Sequence, residues 1–371
     1  MIEGDKQISR RDMLRWGLSS TMTLALTSSV LTACGGGSAS VSGNSTTSSK
    51  AKVGSSGIRG SKGSEITLKF ASSMPTHTEN AHTIWFDKFV RELVKKTNGK
   101  VGAIFYGDSQ LGPEDNYPKQ VQSGAIDMMT GPSVWASIVP QVGVLTMGFL
   151  FNSMDELGKA VDGKAGKILE HIFDSKAKAE ILGWPYNFGG RNVLSKRAIT
   201  KPGDFHGVKL RVLPSPTFVE TFKLLGAVPV PMSMGEVYTA LQTGTIEGLE
   251  HDAPTILQNK FYEIAKNLTL TYHIYDPLTP TISKVTLGKL SSAERQALRK
   301  AAQEAVIYQR PKAKQAAAKA MSELKGKGVT FHNIDRAKLR QEVKPLWTRF
   351  TDKYPETKPV LKAIEAVVGY S

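Results

Sequence analysis

The sequence predicts an α/β fold made of two α/β domains that face each other across a cleft. Between Gly207 and Asp252, three apolar strand-like runs alternate with two short amphipathic helical patterns, and the same β-α-β-α-β order occurs earlier, between Ile66 and Met129. The two stretches end alike: Val121-Gln122-Ser123-Gly124-Ala125-Ile126-Asp127 against Leu241-Gln242-Thr243-Gly244-Thr245-Ile246-Glu247, offset by 120 residues. A repeat that long indicates two related domains rather than a solenoid. At 371 residues the chain also exceeds the size at which a single core stops growing.

The N-terminus reads as an export signal. Arg10-Arg11 precede an uncharged stretch from Trp16 to Ala33, which suits the twin-arginine route, with Met13 where an aromatic is usual. Leu31-Thr32-Ala33-Cys34 has the form of a lipoprotein processing site, which would make Cys34 the lipidated first residue of the mature chain. The alternative, an uncleaved spanning helix, sits poorly with the Ser and Thr content of the stretch. Cys34 is the only cysteine, so no internal disulfide can form and no thiol remains for catalysis or a Cys-based metal site. Residues 35–64, rich in Ser, Gly and Thr, read as a flexible tether.

The first domain then begins. Ile66 to Phe70 is a strand; Glu79 to Thr97 is a helix with Ile84, Trp85, Phe89 and Leu93 on one face, ended by Asn98-Gly99; Val101 to Tyr106 is the next strand. A short helix ends at Gly124, and Ala125 to Met129 is the third strand. Between the repeats, Gly183 to Leu194 carries the chain from one domain to the other, and Gly189-Gly190 supply backbone freedom for a hinge. Arg191 would project from this crossing into the cleft, unless it is a surface arginine.

In the second repeat, Val208 to Val212 is a strand and Ser215-Pro216 open a helix whose Phe218, Phe222 and Leu225 face the core. Gly226 ends that helix, and Val228 to Pro231 is the second strand. Ser233 and Glu236 form a capping box, Gly244 stops the second helix, and Thr245 to Leu249 is the third strand. The chain returns through strands at Leu268 to Tyr275 and Thr281 to Leu287. Ser291 to Glu294 then cap a long Ala- and Lys-rich helix, which Pro311 is expected to break or kink.

The net charge is +15, and residues 1–33 carry four cations against three acids, so a mature chain keeps about +14. Much of the excess lies between Ala293 and Lys327, with nine Lys or Arg against three Glu. No basic run interleaves with aromatics and no nucleic-acid motif occurs, so this is read as a solvated helix face, the alternatives being attraction of anionic headgroups or steering of anionic solutes. Nucleic acid is not expected as a partner.

In sheets of this kind ligands bind beyond the carboxyl ends of the strands, which singles out Arg211 and Glu250-His251-Asp252. Arg211 lies in a run that otherwise reads as buried strand. It is either paired with an internal carboxylate or free to clamp a ligand carboxylate or phosphate in the bidentate way a guanidinium allows. Glu250, His251 and Asp252 include the ligand types of a metal-assisted hydrolase, but neighbours on a strand point to opposite faces. No G-x-S-x-G, H-E-x-x-H or phosphate-binding glycine loop supports catalysis. No catalytic residue, metal or cofactor is expected.

The wording of several stretches is recognisable. GVKLRV, LGAVPVPMSMGEVYTALQTGTIEG and QNKFYEIAKNLTLTYHI, together with GDSQLGPEDNYPKQVQSGAIDM and VGVLTMGFLF, resemble the solute-binding proteins of tripartite ATP-independent periplasmic (TRAP) transporters, the DctP-like group that captures organic acids. The likeness runs from Ile66 to the C-terminus.

It implies a periplasmic binding protein type II-like architecture, with two strands crossing between the domains and a long C-terminal helix spanning both. The domain boundaries are then 1–34 for the signal, 35–64 for the tether, 65–188 plus about 277–316 for domain I, and 189–276 plus about 317–371 for domain II. It also implies an arginine clamp of Arg191 and Arg211. Two arginines in one small cleft repel each other without an anion, which favours an open ligand-free state and couples anion capture to closure. His251 stands where relatives carry a ligand-contacting asparagine, and Met234 where they often carry an aromatic. Glu250, Asn187, Ser73, His77, Ser133 and Trp135 complete the candidates at strand ends and crossing; packing or turn chemistry would fit each of the last five as well.

The expected partners are a small organic anion, carboxylate or phosphate ester, the membrane permease of a TRAP system, and the membrane through the lipid anchor. The location is the periplasmic or cell-surface side of the membrane. A binding lipoprotein of an ATP-driven importer or of a sensor remains the alternative reading of the repeat alone.

Overall fold

The computed structural model describes residues 59–60 and 63–370. The export signal, Cys34 and tether residues 35–58 and 61–62 lie outside the described residues. Arg59 and Gly60 depart from the expected tether: they form a two-residue strand, β1 (Arg59–Gly60), on the edge of the first sheet.

From there the chain runs through β2 (Ile66–Ala71), α1 (Ala81–Lys96), β3 (Val101–Tyr106), α2 (Tyr117–Ser123) and β4 (Met128–Met129). Helix α1 starts where the Asn80 side chain accepts from the His82 N–H, and it buries Trp85, Phe86 and Phe89 against Phe70 and Phe105 of the sheet. Strand β4 is shorter than expected because the Ala125 and Ile126 N–H groups still bond the Gln120 carbonyl at the end of α2. Three helices follow, α3 (Pro132–Trp135), α4 (Met154–Asp162) and α5 (Lys164–Lys176), then β5 (Ala179–Ile181).

The chain crosses over and enters the second lobe at β6 (Asn192–Ser195). The repeated unit is β7 (Lys209–Val212), α6 (Pro216–Leu224), β8 (Val228–Pro231), α7 (Val237–Thr243) and β9 (Gly248–His251), followed by α8 (Ala253–Gln258) and β10 (Asn267–Thr269). The Ser233–Glu236 capping box is present, and Gly244 takes the left-handed conformation that stops α7, φ 80°. Strand β9 starts three residues later than the sequence implies, for the same reason as in the first lobe: the Ile246 N–H is held by the Ala240 carbonyl.

The return comprises β11 (Thr281–Ser283), α9 (Lys284–Lys289), α10 (Ser292–Gly326), β12 (Thr330–His332), α11 (Arg336–Val343), α12 (Pro345–Lys353) and α13 (Lys358–Val368). Both strands predicted here are truncated. Tyr272, at φ 42°, cannot continue β10, and the Ser283 hydroxyl accepts from the Val285 N–H and so starts α9 inside the expected strand. Pro311 does not break α10, which is continuous over 35 residues.

The sheets run β1-β3-β2-β4-β11-β5 and β12-β10-β6-β9-β7-β8. Each repeat supplies parallel strands, β2 with β3 and β4, and β7 with β8 and β9. Each sheet becomes mixed because a strand from the crossing or return enters it antiparallel, β11 in the first and β6 in the second.

Helix α10 serves both lobes. Leu298, Ala301, Ala302 and Ala305 lie in the core of the first with Phe89 and Leu93, whereas Ala320 and Leu324 lie in the core of the second with Phe261 and Leu268. Midway, Gln309 is fully buried, accepting from the Tyr186 N–H at 3.0 Å and donating to the Tyr186 carbonyl at 2.6 Å. The terminal helix α13 packs on α4 and α5, its Val360 and Ile364 sharing one apolar cluster with Leu169 and with Phe218 of α6.

Candidate ligand-binding site

The strand exits of both repeats and the two crossing segments enclose a cavity of about 50 Å³. It is lined by Ser73, Glu114 and Ser133 from the first lobe, Met234 and His251 from the second, and Asn187, Arg191 and Asp276 from the crossings.

Of the two arginines, Arg191 holds the internal ion pair. Its Nε donates to Glu250 Oε2 at 2.5 Å and its Nη2 to Oε1 at 2.9 Å, with both side chains out of solvent. Burial alone would pull the guanidinium down. The Glu250 charge and hydrogen bonds outweigh it and hold Arg191 above its ordinary value. Burial likewise opposes the Glu250 charge, yet Arg191 and a bond from His273 keep that carboxyl well below its usual range. The expected mutual repulsion persists, since Arg191 still disfavours the Arg211 charge, but Glu250 acts on Arg211 in the opposite sense and offsets it. Glu250 itself is turned wholly to Arg191 and His273, not to the cavity.

Arg211, by contrast, is not among the residues that line the cavity. It is fully buried, and its Nε and Nη2 share the Met232 carbonyl at 3.1 and 2.9 Å, while Nη1 is buried without any hydrogen-bond partner. Across the cleft, a Glu114 oxygen stands 3.8 Å from Nη2. Glu114 also accepts from Ser73 Oγ at 2.5 Å and from the Met234 N–H at 3.3 Å, and Asn80 Nδ2 donates to Gln258 at 2.9 Å. All but the Ser73 bond, which lies within the first lobe, join opposite lobes, so the cleft is shut.

His251 lies at the end of β9 with Nδ1 2.7 Å from Asp252 Oδ2, and the other Asp252 oxygen caps α8 through the Thr255 N–H. Burial lowers the imidazole below its ordinary value, against the opposing pull of Asp252. His82, unremarked in the sequence, also faces the cavity; its Nδ1 lies 2.8 Å from Ser72 Oγ and 2.9 Å from Thr130 Oγ1, and burial pushes it down to about 3.

Two candidates lie elsewhere. His77 accepts from the Glu79 N–H and lines a different depression with Pro254 and Lys260, because the turn after β2 carries it outward. Trp135 is a core residue: its indole N–H donates to Thr281 Oγ1 at 3.1 Å and its ring meets Phe173 edge-on at 4.9 Å. Glu114 and Asp276 are the acidic groups that sequence reasoning missed. Asp276 had a signal, as a lone acid before a proline in the apolar run Tyr272 to Pro280.

The model of the family described as bacterial extracellular solute-binding protein, family 7 (DctP), matches residues 71–353. The chain belongs to the DctP family. The 2,3-diketo-L-gulonate-binding periplasmic protein YiaO of Escherichia coli K12 is 34% identical over 299 residues, covering 79% of this chain and 89% of YiaO. A TRAP periplasmic solute-binding protein from Citrobacter koseri, solved with bound D-glucuronate, aligns at 32% identity and TM-score 0.76 over 80% of this chain and 98% of that one. One from Xanthobacter autotrophicus Py2 with bound β-D-galacturonate aligns at 28% identity and TM-score 0.76, over 80% and 99%. As a DctP protein this chain is a periplasmic solute-binding protein for small organic acids, and the family consists of binding proteins, not enzymes. Its two mixed-sheet lobes and long C-terminal helix match that fold.

Proposed function

We propose that this protein captures a sugar acid between its lobes, seats the carboxylate on Arg211, and hands it to the membrane permease of a TRAP system. The observation that carries this reading is the Arg211 Nη1 group, fully buried and unpaired. An orphaned buried cationic donor is costly unless an anion meets it. A carboxylate is the planar, two-oxygen anion that a guanidinium fits. Relatives that bind diketogulonate, glucuronate and galacturonate support a sugar acid as that anion. Arg191, held by Glu250, is the guanidinium that lines the cavity, with Ser73, Ser133, Asn187, Met234 and His251 around the ligand. Twin-arginine export and a lipid anchor on Cys34 rest on the sequence and keep the protein beside its permease.

Isothermal titration against D-glucuronate, D-galacturonate and 2,3-diketo-L-gulonate, with succinate and glycerol 3-phosphate as contrasts, tests the reading. Binding of a sugar acid that Arg211→Ala abolishes while the fold persists supports it; binding of none of the three, or retention by Arg211→Ala, sinks it. Fractionation of Cys34→Ser away from the membrane is the matching test of the anchor.

A further inference from the structure

The two segments that cross between the lobes meet at an isolated bridge between Tyr186 and Pro277. Their neighbours Asn187 and Asp276 are joined twice there, the Asn187 N–H donating to the Asp276 carbonyl at 3.3 Å and Asn187 Nδ2 to Asp276 Oδ2 at 3.0 Å. The second bond turns the amide nitrogen toward the carboxylate, so the amide oxygen points away from it. Asn187 Oδ1 and Asp276 Oδ1 are both buried with no hydrogen-bond partner, and Asp276 is only 3% exposed. Both residues line the cavity between the lobes.

Two adjacent buried acceptors without donors cost free energy that their own packing does not return. Such a pair is complementary to a ligand that brings donors.

We propose that Asn187 Oδ1 and Asp276 Oδ1 form a paired-acceptor subsite that takes two hydroxyl donors of the ligand and so selects polyhydroxylated monocarboxylates over dicarboxylates and phosphate esters. The proposal rests on the sugar-acid reading above and adds the part of the ligand other than its carboxylate. A second anionic group has no place there, since it would meet two acceptors and the charge of Asp276. An ammonium group would satisfy the acceptors but would sit within the field of the Arg191 guanidinium, which already acts on Asp276. Neutral hydroxyls satisfy both oxygens and are indifferent to that cation.

The test is titration of the purified protein and its Asp276→Ala, Asn187→Ala and Arg211→Ala variants with D-glucuronate and with cyclohexanecarboxylate, which keeps a six-membered ring and carboxylate but has no hydroxyl. Asp276→Ala should weaken D-glucuronate about 10- to 100-fold, as expected for hydrogen bonds to a charged acceptor. Asn187→Ala should weaken it several-fold, and neither should change cyclohexanecarboxylate. Should Asp276→Ala fail to fold, the partly exposed Asn187 site carries the comparison. Unchanged D-glucuronate affinity in either folded variant, or an equal loss for both ligands, overturns the subsite while leaving the Arg211 reading standing. Failure of the wild type to bind any sugar acid defeats that reading instead. A wild-type preference for D-glucosaminate over D-gluconate that vanishes in Asp276→Ala would assign the acceptors to an ammonium group and overturn the hydroxyl assignment.

Discussion

Glu114 and Arg211 come from opposite lobes, yet their charged groups lie 3.8 Å apart. The carboxylate thereby occupies ground beside the cation assigned to the ligand's own carboxylate, and its bond from the Met234 N–H ties the lobes together. A charge-assisted bond of this kind is worth about 1.5–3 kcal/mol. Glu114→Gln should therefore open the ligand-free protein. Small-angle scattering should give it a larger radius of gyration than the wild type without ligand; equal radii would mean that Glu114 does not hold the cleft shut.

The Arg191–Glu250 pair has no access to solvent. Removing either partner leaves an uncompensated buried charge, so Glu250→Gln or Arg191→Met should each cost about 3–5 kcal/mol in urea unfolding. Replacing both, as Arg191→Met with Glu250→Leu, should cost less than the sum of the two. An additive double mutant would mean that the pair is not coupled.

Burial pushes the Asp276 carboxyl up to about 6, against the pull of Arg191 and with the charges of Asp252 and Glu250 adding to the rise. Ligand hydroxyls prefer the ionised form. Affinity should be level above about pH 6 and fall below it, and Asp276→Asn should flatten the profile. Because the folded value exceeds the ordinary 3.8, Asp276 favours the fold most below that value, and the contribution is lost as pH rises through about 6. Glu250 has the opposite sign: its value is depressed, so its contribution is present above the ordinary 4.5 and lost on acidification.

Pro311 removes a hydrogen bond from the middle of α10, opposite the exposed Ile307 turn where water can take the carbonyl. Pro311→Ala should restore the bond and stabilise the protein by about 1–3 kcal/mol, read as a higher melting temperature. No rise would mean that the helix is already strain-free there.

Local chemistry made much of this fold legible. Helix caps and stop glycines located β3 and β8 to the residue and the Ser233 and Ser291 capping boxes with them. The strands after Gly124 and Gly244 start later than periodicity implies because a helix C-terminus keeps the following N–H groups, those of Ala125 and Ile126 in the first lobe and that of Ile246 in the second. At the site, the resemblance singled out two arginines and the buried-strand reading of Arg211 allowed an internal carboxylate, but neither told which arginine a carboxylate would take. Antiparallel pairing of β6 with β9 sets Glu250 opposite Val193, beside the arginine that precedes the strand. Glu114 was invisible, and Asp276 passed over, for a related reason: each gains its meaning from a partner on a distant segment.

The Gln309 side chain grips both backbone groups of Tyr186, which bolts the first crossing to the long helix. Any swing between the lobes must then be absorbed downstream, at Gly189, whose φ of 103° suits glycine, and Gly190, where a β-carbon would strike Tyr272. Asn187 and its bonded Asp276 lie on the stator side of that pivot, and Arg211 rides on the rotor. A molecule whose hydroxyls engage one and whose carboxylate engages the other spans the joint, so its length sets the angle at which the machine locks.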